Sequence, residues 1–111
     1  MIHVNVERDA NGRIASVQID GHAGYAEAGR DIVCAAVSAI SIGMVNAVEM
    51  VLGVQLPTEV KDDGFLRCRM PTTLDEKTAD DVQLLLEAMV AALRSVEAEY
   101  GRYVQVKDRS R

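Results

Sequence analysis

An α+β fold of order β-β-α-β-β-α-β, a sandwich with a mostly antiparallel sheet covered by two long helices, is what this sequence predicts. Three observations lead there. Two segments alternate apolar and polar residues around tight-turn residues; the run from Ile32 to Val48 has no charged residue; and a later run repeats apolar residues at four-three spacing. Hairpins and helices follow one another as separate blocks, which is the pattern of a segregated α+β domain. Residues 1–111 fit a single domain, long enough to bury one core without help from metals or disulfides.

The first strand is read from Ile2, Val4 and Val6, which fall on one face, with His3, Asn5 and Glu7 on the other. Asn11-Gly12 is a tight-turn signal in which both positions tolerate positive φ, and the chain is expected to return with Ala15, Val17 and Ile19 inward. A loop of small residues follows from Gly21 to Arg30. Asp31 is a good N-cap, and the helix after it should reach about Leu52 and stop at Gly53. That helix is apolar almost all round, so it is expected at the centre of the domain.

The segment from Val54 to Met70 reads as a second hairpin turning at Asp62-Asp63-Gly64. Leu66, Cys68 and Met70 face inward, and Arg67 and Arg69 face out, where cross-strand pairing with Glu59 accounts for them. Thr78, or Asp75 before it, caps a second helix reaching Tyr100. Val82, Leu86, Met89, Leu93 and Val96 form its apolar stripe, widened by Leu85 and Val90. Residues 102–106 give a last short strand, and Asp108 to Arg111 should fray.

The net charge of −5 argues against nonspecific nucleic-acid binding through a broad basic face and favours a basic partner. The uncharged run is long enough to suggest a membrane span. Its serines, Gly43 and Asn46, with Asp31 before it and Glu49 after, favour a buried or dimer-forming helix instead. Two cysteines in unlike settings and no secretion signal at residues 1–6 point to a reducing cytoplasm. No CxxC or clustered His and Cys suggests a metal, and no cofactor is expected.

Chemistry concentrates between Gly21 and Ile40, which hold one of the two histidines and one of the two cysteines. With Asp31 as N-cap, Cys34 lies in the first helical turn, where free N–H groups and the helix dipole favour a thiolate. The same amides could hold an oxyanion. His22 is separated from Cys34 by a glycine-rich segment that can span roughly 35 Å when extended, so reach is no obstacle to a dyad. Asp31, or Asp20, is placed to orient the imidazole, and Ser38 lies one turn beyond Cys34 on the same side. Ser38 either bonds a carbonyl of its own helix or touches a substrate. The residues alone leave two readings open: a nucleophile and its base, or a loop histidine preceding a small buried core cysteine. Cys68 reads as core and His3 as surface.

The stretch "GHAGYAEAGRDIVCAAVSAI" resembles the signature of Prp, the ribosomal-processing cysteine proteases of bacteria. The resemblance is carried by His22, Ala23 and Gly24, by Gly29 and Asp31 to Cys34, and by Ala35 to Ala39. Chain length and element order agree with it. It implies a cysteine endopeptidase with His22 and Cys34 as catalytic dyad; Gly21, Asp31 and Ser38 are read as supporting residues beside them. Ala23, Gly24, Tyr25, Gly29 and Arg30 would belong to a substrate loop that closes on the peptide. The implied substrate is the N-terminal extension of protein twenty-seven of the large ribosomal subunit, cut after an aromatic and before a small residue. A homodimer is implied too; from charge and helix flanks, no membrane and no direct nucleic-acid binding are expected. The competing reading is a noncatalytic ribosome-associated module in which Cys34 is buried.

Overall fold

The computed structural model describes residues 1–27 and 29–109. Its elements are β1 (Ile2–Arg8), β2 (Ile14–Gly21), α1 (Ile32–Leu52), β3 (Thr58–Lys61), β4 (Phe65–Arg69), α2 (Glu76–Glu99) and β5 (Val104–Arg109). The strands form one sheet in the order β3-β4-β2-β1-β5. The two hairpins join through antiparallel β2–β4 pairing, and β5 lies parallel to β1 at the far edge. The inward residues of the central strands share one core cluster with both helices. His3, Asn5, Gln18 and Arg67 stay partly exposed on the other sheet face.

The first hairpin differs from its expected form at two points. Only Gly12 takes a left-handed φ, +82°, while the Asp9 carboxylate accepts the amides of Asn11 and Arg13 and shapes the turn. The register then slips: Glu7 faces Ser16 but Arg8 faces Ile14, so Ala15 is the extra residue of a bulge. The slip turns Ala15 outward and buries Ile14 at 1% exposure. Gln83 of α2 closes this irregularity, accepting the Ile14 N–H at 2.9 Å and donating to the Ile14 carbonyl at 2.8 Å.

Helix α1 begins and ends as its sequence predicts, with Asp31 as N-cap and left-handed Gly53 as C-cap. It is not central. Val33, Val37, Ser41 and Val48 are its buried residues, a single stripe, while Met50 and Val51 are 84% and 71% exposed. The helix is long and apolar enough to cross a membrane, yet that one stripe sits in the core cluster. Two helices share one sheet face, so α1 can be covered on only one side. Helix α2 buries Val82, Leu86, Met89, Val90 and Leu93, with Asp75 as its N-cap.

The C-terminal strand runs further than expected. Asp108 accepts a paired hydrogen bond from Arg8 at 2.8 and 2.9 Å, and Arg8 also grips Glu87, so the strand continues through Arg109. Ser110 and Arg111 lie outside the described residues. Arg67 faces Glu59 across β3–β4 as expected, but no ion pair joins them among the described residues.

Candidate active site

The site lies where the end of β2 meets the start of α1. Gly21 ends β2 with φ +95°, and a Cβ there would collide with the Met1 carbonyl, so only glycine lets the chain turn at this point. His22 follows and Ala23 tucks under, 5% exposed. Gly24 and Gly29, at φ +70° and +84°, reverse the loop on its way to Asp31.

Asp31 ties both ends of this connection together. Its Oδ1 accepts the N–H groups of Val33 and Cys34 at 3.0 Å each, the usual N-cap bonds. Its Oδ2 accepts the N–H groups of Tyr25 and Ala26 at 3.0 and 3.4 Å, which fastens the loop to the helix start. These backbone donors, that of Cys34 foremost, hold the carboxyl below its ordinary range. The carboxylate is thereby engaged with backbone amides, and among the described residues no hydrogen bond joins it to His22. The amides of Val33 and Cys34 point at Asp31, so they are not the free oxyanion donors that helix position alone suggests.

Cys34 is half-buried, unlike Cys68, which is 1% exposed and whose thiol burial pushes up to about 11. The Cys34 sulfur accepts the Ala23 N–H at 3.3 Å. Sulfur and imidazole line the same cleft, with no direct hydrogen bond between them among the described residues. Such contacts commonly tighten only when substrate is bound.

The cleft measures about 690 Å³ and is lined mostly by apolar side chains. Ile2, Ile19, Val37 and Leu66 come from the sheet and α1, and Val60, Lys61, Gly64 and Phe65 come from the second hairpin. That hairpin wall was not legible in the sequence: nothing local marks residues nearly 30 positions after Cys34 as its neighbours. Lys61 lies 4.9 Å from the Phe65 ring centre, a cation–π contact on the rim. Ser38 faces the cleft, and the intrahelical bond considered for it belongs to Ser41, which donates to Val37 at 2.8 Å. Arg30 is exposed, its N–H bonded to the Glu27 carbonyl.

Tyr25 anchors the loop from outside. Its ring meets Tyr100 and Tyr103 edge-on at 5.9 and 5.2 Å, so all three tyrosines of the chain gather here. Among the described residues no three His, Cys, Asp or Glu side chains cluster as a metal site would require.

This arrangement has relatives. The family model described as cysteine protease Prp matches residues 1–105. The ribosomal processing cysteine protease Prp of Bacillus subtilis (strain 168) is 36% identical over 107 residues, spanning 96% of this chain and 96% of that protein. A crystal structure of an essential ribosomal processing protease Prp from S. aureus, with a covalently linked product peptide, superposes with TM-score 0.88. It is 31% identical and covers 98% of this chain and all of that one (100%). A second S. aureus Prp structure, with a substrate peptide, has TM-score 0.81 at 30% identity, covering 98% of this chain and 100% of its own. The chain belongs to the cysteine protease Prp family and is a cysteine protease.

Proposed function

We propose that this member of the Prp family is a ribosomal-processing endopeptidase with Cys34 as nucleophile and His22 as general base. Its substrate on this reading is the N-terminal extension of protein twenty-seven of the large ribosomal subunit. The observation that carries the proposal is that His22 and Cys34, far apart in an extended chain, line one mostly apolar cleft of about 690 Å³. The names of the relatives support ribosomal processing, and the S. aureus complexes support a peptide substrate. The half-exposed setting of Cys34 speaks against the noncatalytic module, which needs it buried.

In the reaction, His22 takes the Cys34 thiol proton as the sulfur attacks the scissile carbonyl, then returns that proton to the departing amine. Water, deprotonated by His22, next attacks the thioester and releases the carboxylate product and the free thiol. Asp31 positions rather than reacts, holding the loop and the helix start in one geometry. Residues of the loop, Gly24 to Arg30, cover the peptide once it is bound, and Ser38 contacts it beside the nucleophile. The net charge of −5 favours a basic ribosomal protein as partner. Both cysteines are free, which suits a reducing cytoplasm.

The exposed apolar side of α1, with Ile42, Met50 and Val51, supports a twofold homodimer. Light scattering showing a monomer at micromolar concentration overturns that part alone. The activity is tested by mixing the protein with the extended ribosomal precursor. Cleavage should vanish in both Cys34→Ala and His22→Ala, and cleavage that survives Cys34→Ala ends the dyad assignment.

A further inference from the structure

We propose that the backbone N–H of Ala23 is the anion donor of this site, holding the Cys34 sulfur before reaction and the substrate oxyanion after attack. The inference rests on Cys34 being the nucleophile. An oxyanion needs a fixed donor aimed at where the charge develops. Three of the helix-start N–H groups are engaged elsewhere: Val33 and Cys34 donate to the Asp31 side chain, and Ala35 donates to the Asp31 carbonyl, each at 3.0 Å. The Ala23 N–H instead points at Sγ itself, 3.3 Å away, from the strand side of the cleft.

That donor is held in place by its surroundings. Gly21 lies against the Met1 carbonyl with no room for a Cβ, and the Gly64 turn abuts the Gly21 carbonyl. Gly24 turns the chain away directly after Ala23, and the Tyr25 N–H, two residues on, is tied to Asp31. Ala23 is 5% exposed, so little water competes for the bond. A donor fixed before reaction needs no reorganisation during it.

The electron count is simple. His22 takes the thiol proton, the Sγ–C bond forms, and the carbonyl π pair moves to oxygen. That oxygen is bonded to the carbon that sulfur has just joined, so a small shift passes the Ala23 hydrogen bond from sulfur to oxygen. Collapse expels the amine, which takes the proton from His22. The Ala23 proton stays on its nitrogen throughout.

The test replaces Ala23 with lactic acid, so that an ester removes the N–H and keeps the methyl side chain. Cleavage of a peptide spanning the processing site should lose about 100-fold in kcat with KM changed less than about twofold, and iodoacetamide capture of Cys34 should slow. The same exchange at Ala10, exposed in the first hairpin turn and outside the cleft, should cost far less. Wild-type kcat in the Ala23 ester enzyme overturns the proposal. Should that variant not fold, the intact protein still decides. Its Ala23 amide proton resonance must move as Cys34 ionises and stay still in Cys34→Ala, and an insensitive resonance in the wild type overturns it. Activity surviving in Cys34→Ala would instead sink the nucleophile assignment, so the two failures are distinct.

Discussion

Gly64, at the tip of the β3–β4 hairpin, packs on Gly21: a Cβ on Gly64 would stand 2.7 Å from the Gly21 carbonyl oxygen and 3.7 Å from Cε1 of His22. The second hairpin therefore buttresses the segment that carries the proposed base. Gly64→Ala meets both that contact and a left-handed φ of +76°. The backbone term alone should cost about 1–2 kcal/mol in denaturant melts. Displacement of His22 should lower kcat/KM by about tenfold or more, a larger relative loss than the stability change explains.

Asp31 separates capping from charge. Asp31→Asn keeps an acceptor oxygen for the helix, whereas Asp31→Ala frees the helix amides and unties Tyr25 and Ala26. Peptide cleavage should fall about tenfold in the alanine variant and less in the asparagine variant. The folded carboxyl lies below its ordinary value of 3.8, so the folded protein favours the ionised form. Its contribution is complete above that value and is lost as pH falls through the lowered one, which acid melts of wild type against Asp31→Asn should display.

Removing the Tyr25 ring should loosen the loop without unfolding the domain. Tyr25→Ala deletes two edge-on contacts, each worth about 0.5–1.5 kcal/mol, from a side chain already 42% exposed. Amide exchange at residues 24–27 should speed up while exchange in α2 is unchanged, and Tyr25→Phe should behave as wild type. Equal exchange rates in Tyr25→Ala and wild type would remove the ring cluster as the loop's anchor.

The two thiols should differ sharply. Cys34, half-buried in the cleft, should react with iodoacetamide well before Cys68, whose thiol burial pushes from 9.0 to about 11. Because the folded state holds the Cys68 proton more tightly than the unfolded chain, its contribution is intact below 9.0 and disappears as pH rises towards 11. The loss is about 2–3 kcal/mol, and Cys68→Ala should flatten that part of the alkaline decline even though the cavity lowers stability at neutral pH.

Gln83 closes the β2 bulge. Gln83→Ala leaves the Ile14 N–H and carbonyl without their partner in a position 1% exposed. Stability should fall by about 2–4 kcal/mol, with little change in the chemistry at Cys34.

Much of this molecule is written in short stretches of sequence. Asp31 and Gly53 set the ends of α1 because a cap acts on amides and carbonyls within one turn, and the four-three spacing of Val82 to Leu93 selects the buried face of α2 in the same local way. His22 and Cys34 stood out through their glycine-rich setting and the family signature. Other features depend on partners far along the chain. The bulge at Ala15 exists because β1 and α2 meet β2 there, and the exposed side of α1 follows from two helices sharing one sheet face. The cleft wall from residues 60–66, the tyrosine cluster and the diversion of the helix amides to Asp31 are of the same kind. Periodicity and capping act over a few residues, so sequence determined the elements and nominated the reactive pair. Which donor faces the sulfur depends on packing between segments, and only the tertiary structure decided that.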